Sequence, residues 1–199
     1  MPKISPRGKY NKLRLCYPLE IYFKIMLIFI VMENPWFLDK FTKSADQIDR
    51  SRLSIHEMDY RVGVWLQSVC LKMQKKSWLN PVSTARPFEE SIFFSIWISD
   101  RAIQESRLNY NIHALQLREL TGYSIKSREF AAAFRAQFSP LACKWPNVSV
   151  DFGPLTLMEG WISVDLNDFE QNIVTLTHQF LDISPIIDDL LLARKKTAK

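Results

Sequence analysis

Two carboxylates, Asp151 and Glu159, flank the dipeptide Gly153-Pro154 in the stretch VSVDFGPLTLMEGW. If the chain reverses there, they stand on neighbouring strands, where a pair of acids can hold a divalent ion that activates water. The base that would complete such a site is absent, because Glu159 is followed by Gly160 and Trp161 rather than by a lysine two residues on. His56, His113 and His178 are the only histidines, fall on three different predicted elements and have no H-x-x-x-H or cysteine partner for a metal. His113, beside Leu115, reads as a structural histidine on a core face. Cys16, Cys70 and Cys143 are far apart and form no C-x-x-C, and the five glycines make no phosphate-cradling loop. The expectation is therefore no catalytic residue, no metal and no cofactor.

The chemistry that remains is recognition. Side chains on a strand alternate between two faces. One predicted face is apolar: Ile92, Phe94, Ile96 and Ile98, then Val148, Val150 and Phe152, then Met158, Ile162, Val164 and Leu166. The other carries Phe93, Ser95 and Trp97, then Ser149 and Asp151, then Glu159, Trp161, Ser163 and Asp165, joined by Tyr110, Gln116 and Arg118 if their strand lies in matching register. Aromatic rings give contact area at low entropic cost and acids give orientation, so Trp97, Tyr110, Arg118, Asp151, Glu159 and Trp161 are the candidate ligand-binding residues. A sheet face that is merely half-solvated, or covered by a helix, has the same pattern.

These residues need strands to hold them. Ser91–Ser99 (SIFFSIWIS) is rich in β-branched and aromatic residues and predicts a strand, as does YNIHALQLREL. Val148–Phe152 and TLMEGWISVDL predict a hairpin about Gly153-Pro154. Helices are predicted over Ser54–Lys76, from the spacing of Ile55, Met58, Val62, Trp65, Leu66, Val69 and Met73, and after a Ser127 cap, with Phe130, Phe134 and Phe138 on one stripe. A further helix starts at Asn167 or Asp168 with Phe169, Ile173, Leu176 and Phe180 on one side, and Ser184-Pro185 opens a last one through Leu192. The fold class is α+β: a two-layer sandwich of about four mainly antiparallel strands with helices. Trp97-Ile98-Ser99 and Trp161-Ile162-Ser163 also allow a degenerate ββα duplication, a match that chance supplies equally well.

Two local resemblances supply alternatives. Asp151 and Glu159 resemble the acid pair of metal-dependent nucleases, which implies a hydrolase. The stretch TGYSIKSREFAAAFRAQF resembles the second half of a helix-turn-helix, with Arg128 and Arg135 one heptad apart, and residues 111–138 would then form a DNA-binding regulator.

Charge argues against nucleic acid as a partner of the body. Of the formal +5, all of it sits in residues 1–31, where Lys3, Arg7, Lys9, Lys12, Arg14 and Lys24 face Glu20 alone, and residues 32–199 are formally neutral. The apolar run Ile25–Met32 is too short for a membrane span, and no A-x-A-like cleavage site follows it. We therefore read residues 1–31 as a basic, apolar leader, with Met32 as an alternative start, and residues 32–199 as one domain. Cysteines that are widely spaced and odd in number point to a reducing, cytoplasmic setting. The leading expectation is an interaction or ligand-binding module, not an enzyme, whose partner is a protein or a small molecule captured on the polar-aromatic sheet face.

Overall fold

The computed structural model describes residues 35–80 and 91–196; the leader of residues 1–31 and the start at Met32 lie outside the described residues. The chain opens with helix α1 (Pro35–Asp46) and the short α2 (Arg50–Ile55). Asp49 caps α2, its Oδ1 accepting from the Ser51 N–H at 2.8 Å and the Arg52 N–H at 3.3 Å.

The stretch whose spacing predicted one long helix is a β-hairpin. MDYRVGVW and SVCLKMQK form β1 (Met58–Trp65) and β2 (Ser68–Lys75), paired antiparallel from Met58↔Lys75 to Trp65↔Ser68. Leu66 and Gln67 make the two-residue turn with φ of 46° and 60°. A turn of this left-handed kind matches the twist of a hairpin, but it normally announces itself with Asn-Gly or Asp-Gly. Here it does not, so the apolar positions of two strands run together across the turn and imitate a helical stripe. The period-two alternation of Met58, Tyr60 and Val62, then Val69, Leu71 and Met73, is the pattern that the fold uses.

The remaining elements are β3 (Ile92–Ser99), α3 (Asp100–Gln104), β4 (Arg107–Ala114), α4 (Ser127–Phe138), β5 (Thr156–Ser163) and α5 (Phe169–Leu192). The strands form one antiparallel sheet in the order β1-β2-β3-β4-β5. The fold is α+β, with five strands rather than about four. Val148–Phe152 is not a strand; it touches the sheet through the single bridge Ser149↔Glu159, and Phe152 is exposed. The second half thus supplies one strand before its helix and does not repeat ββα.

Helices cover the apolar face. Phe130, Phe134 and Phe138 of α4 and Phe169, Ile173, Leu176 and Phe180 of α5 are buried with Leu71, Met73, Ile92, Phe94, Ile96, Ile112 and Met158. Phe94 and Phe180 stack with ring centroids 4.7 Å apart, and Phe169 meets Phe41 of α1 at 5.7 Å. Val164 and Leu166 lie beyond the end of β5, and Leu166 is exposed.

Helix α4 starts at Ser127 itself, with Lys126 in the cap position, so the hydroxyl is not the cap. Helix α5 continues through Pro185 instead of restarting there. A proline inside a helix has no N–H for the carbonyl four residues back. That carbonyl, of Leu181, is satisfied instead by the Ser184 hydroxyl, which donates to it at 2.9 Å; His56 Nδ1 lies 3.2 Å from the same hydroxyl and can donate to it. The charged end of β2 is tied down as well: Lys75, buried, donates to Asp188 Oδ2 at 2.5 Å, and the Trp78 indole N–H donates to Asp188 Oδ1 at 3.0 Å.

Candidate ligand-binding groove

On the face opposite the helices, register sets side chains in rows. Cys70, Trp97, Asn109 and Trp161 stand side by side across β2 to β5, and Lys72, Ser95, Asn111 and Glu159 form the next row. Trp97 and Trp161 therefore flank the shorter Asn109. Between them lies a groove of about 400 Å³ lined by Trp97, Arg107, Asn109, Ser149, Glu159 and Trp161 among others, and no residue of α1, α4 or α5 enters it. The hydroxyl of Ser99, at the end of β3, caps α3 by accepting from the Ala102 N–H at 3.3 Å, and both residues belong to the groove lining.

The charges in and around the groove have a definite order. Glu105 accepts from Arg101 Nε at 2.8 Å and from Arg107 at 3.0 Å, and the Arg107 guanidinium lies 4.2 Å from the Trp161 ring centroid. Glu105 is exposed, and these two arginines hold its carboxyl below the ordinary carboxylate range, the Arg101 hydrogen bond contributing most. Glu159 has no ion pair among the described residues. Its backbone N–H and carbonyl bond to Ser149, and its one side-chain hydrogen bond among the described residues is with the Asn111 amide, whose Nδ2 lies 3.5 Å from Oε2. The amide is oriented from behind. The buried Ser95 hydroxyl donates to Asn111 Oδ1, which leaves Nδ2 directed at Glu159.

Beside this row, His113 faces Phe93, ring centroids 5.2 Å apart, and its Nδ1 is 3.3 Å from Thr156 Oγ1 and 3.4 Å from the Leu155 carbonyl. Burial lowers its pKa below 6.5, and Lys72 pushes the same way, while the Leu155 carbonyl and Glu159 oppose. His113 thus belongs to this face, not to the core as its sequence neighbours suggested. Its partner His113↔Thr156 follows a register shift in the β4–β5 pairing.

Of the six candidate residues, the structure brings together Trp97, Glu159 and Trp161. Asp151 is exposed, outside the groove lining, with its N–H held by Ser149 Oγ at 3.1 Å. Ser149, not Asp151, is the residue opposite Glu159, and no cluster of three or more His, Cys, Asp or Glu side chains suited to a metal occurs among the described residues. Arg118 is exposed on the 3₁₀ turn Leu117–Glu119 beyond β4.

Tyr110 points the other way. It pairs with Ile96 and Gly160 on the core face, is fully buried, and donates its hydroxyl to the Pro146 carbonyl at 2.5 Å. Burial raises its phenol pKa. The one-residue choice of parity for β4 decides this, since slipping by one exchanges the two faces. With Tyr110 inward, Arg107, Asn109, Asn111 and His113 all turn to the open face, and the first two are groove residues missed from sequence.

The helix-turn-helix reading does not survive the geometry. Residues 111–114 belong to β4, the turn Leu117–Glu119 follows, and only α4 is a helix of any length between 111 and 138. Arg135 is a clamp for the loop before β5: its guanidinium donates to the carbonyls of Phe152 at 2.8 Å, Gly153 at 3.0 Å, Thr156 at 3.0 Å and Leu157 at 3.3 Å. Nor is any helix among the described residues long and apolar enough to cross a membrane. No family model matches the chain, and neither the curated proteins nor the solved structures contain a detectable relative.

Proposed function

We infer that the groove is a recognition site and that the chain acts as a binding module, with a cationic group of its ligand or protein partner seated between Trp97 and Trp161 over Asn109. The observation that supports this reading is the row itself: two indoles flanking a short side chain, with the Glu159 carboxylate, free of ion pairs among the described residues, in the adjoining row. Neighbouring strands lie about 4.8 Å apart, so side chains two strands apart are rooted roughly 10 Å from each other, room for one group between two rings. Aromatic faces attract ammonium and guanidinium groups, and Trp161 already draws the guanidinium of Arg107. Arg101 and Arg107 share Glu105, which leaves Glu159 to receive the incoming charge.

The test is a titration of ¹⁵N-labelled protein with arginine amide, tetramethylammonium and, as an anionic control, acetate, followed at the indole N–H signals. The reading expects the signals of Trp97 and Trp161 to move with both cations, and Glu159→Gln to weaken that response about tenfold, the equivalent of one charge-assisted contact of roughly 1.4 kcal/mol. Movement with acetate alone, or a response to cations unchanged in Glu159→Gln, contradicts it.

A further inference from the structure

We propose that the outer edge of β1 is a self-association surface, on which a second copy of this chain pairs antiparallel about a twofold axis through Tyr60, joining the two sheets into one of ten strands.

The two edges of the sheet are treated differently. Beside β5, Ser149 exchanges both backbone hydrogen bonds with Glu159, 2.8 and 3.0 Å long, and Arg135 holds the loop at its start. No described residue pairs with the outer side of β1, an eight-residue strand with unbroken register and no proline. A long unprotected edge is a template for another strand. Such edges are commonly blunted by charged side chains, which repel a second copy when like charges face each other, but β1 carries both signs. Asp59 and Arg61 are exposed, lie on the same sheet face two residues apart, and form no ion pair among the described residues.

That spacing is self-complementary in one register. Directly opposed residues in an antiparallel pair share a face, so pairing about Tyr60 sets Asp59 of each copy against Arg61 of the other, with Met58 opposite Val62. Pairing about Asp59 or Arg61 would oppose each charge to itself, and pairing about Val62 would set Arg61 against Gly63 and Asp59 against Trp65.

A second observation agrees with the register. Leu66, Ile55 and Val64 are 99%, 77% and 62% exposed; Val64 and Leu66 lie at the hairpin end of β1, and Ile55 is the last residue of α2, which the turn His56-Glu57 joins to the start of the strand. In the antiparallel arrangement about Tyr60, Met58 of one copy stands opposite Val62 of the other, so each hairpin tip reaches past the start of the other strand. The tip carrying Val64 and Leu66 is thereby brought toward the turn and the α2 end that carry Ile55, where exposed apolar side chains can leave water. Charge complementarity at the centre selects the alignment, and the apolar groups near the ends favour the same partner, independently of what the groove binds.

The experiment is sedimentation equilibrium of the full chain from about 1 to 200 μM, a range that brackets the micromolar affinities of modest interfaces. Arg61→Asp gives each strand two acids and opposes them to two acids, and the double change Asp59→Arg with Arg61→Asp restores opposite charges in the same register. The expected result is a wild-type mass approaching twice 23.3 kDa, a dissociation constant at least about tenfold weaker in Arg61→Asp, and recovery to within about threefold in the double variant. Circular dichroism checks that the variants fold, and amide exchange of β1 in the wild type, slower at high than at low protein concentration, reads the same contact without any substitution. A wild-type chain that stays monomeric at the top concentration overturns the proposal. So does a dimer indifferent to Arg61→Asp, or one that the double change fails to restore.

Discussion

Replacing Gly160 by alanine tests the register on which the groove depends. A Cβ at that position would stand 2.3 Å from the Tyr110 hydroxyl oxygen, 2.5 Å from Cζ and 2.9 Å from Cε2. Non-bonded carbon atoms settle about 3.5 to 4.0 Å apart, so the ring must move by roughly 1 Å. It has nowhere to go: Tyr110 is fully buried, with Trp145 at 5.3 Å and Phe180 at 6.3 Å between ring centroids. Overpacking of this kind costs about 1 to 3 kcal/mol. If the ring swings clear, the hydrogen bond to the Pro146 carbonyl is lost and a buried hydroxyl is stranded, for about 1 to 3 kcal/mol more. We expect Gly160→Ala to destabilise by about 2 to 6 kcal/mol in urea denaturation followed by circular dichroism. Tyr110→Leu in the same chain should recover part of the loss, because the shorter side chain vacates the space. Gly63→Ala is the control, since its Cβ would meet only the far end of the Trp65 side chain, at 3.0 Å. A Gly160→Ala protein within about 0.5 kcal/mol of wild type, the range of ordinary surface changes, would mean that Tyr110 does not cross Gly160. Strand β4 would then be out of register, and Asn109 would not lie between the two indoles.

Other parts of the fold give smaller, separate expectations. Asp188→Ala strands the ammonium of Lys75, whose side chain is 7% exposed, and should cost about 3 kcal/mol; Lys75→Met in the same protein should return most of it, as urea midpoints would show. Gln67→Gly relieves a left-handed residue in the β1–β2 turn and should stabilise by about 1 kcal/mol, visible as a higher melting temperature. Burial holds the pKa values of His113 and His178 below 6.5, so the unfolded chain binds these protons first and stability should fall as pH drops through that value, levelling off below the folded pKa. His113→Gln should flatten the fall in the urea midpoint between pH 7.5 and 5.5, a window above the range in which Glu170, held below 4.5 by Lys40, would contribute.

The helix side of the fold was open to reading because its signals are local. Phe130, Phe134 and Phe138 repeat at the spacing of one helix face, and the SIFFSIWIS strand alternates without interruption. The β1–β2 hairpin was hidden because its turn, Leu66-Gln67, uses residues that carry no turn signal, and the sheet around it, not the turn, holds those two residues left-handed. Ser184 shows the opposite failure: Ser-Pro reads as a helix start, yet the hydroxyl takes over the carbonyl that the proline leaves, and α5 runs on.

The groove was legible in part, through Trp97, Glu159 and Trp161, whose parity follows from adjacent apolar residues. Tyr110 would join that face only if β4 took the matching register, and β4 takes the other one. The alternation Leu108, Tyr110, Ile112, Ala114 against Arg107, Asn109, Asn111, His113 was in the sequence and assigns it to the core. Asp151 and Arg118 failed for another reason, since each lies beyond the end of regular pairing, where period-two reasoning has no hold.

If one face of the sheet serves folding and the other recognition, urea midpoints and arginine amide affinities of Trp161→Ala and Phe134→Ala separate the two. Phe134 of α4 is fully buried against the sheet, and its loss should cost about 3 to 5 kcal/mol. Trp161 is half-buried, and the contact with Arg107 that it gives up is worth about 0.5 to 1 kcal/mol at an exposed site. Trp161→Ala is expected to keep a midpoint close to wild type while losing arginine amide binding. Equal destabilisation by the two substitutions, or binding that persists without the Trp161 ring, would contradict it.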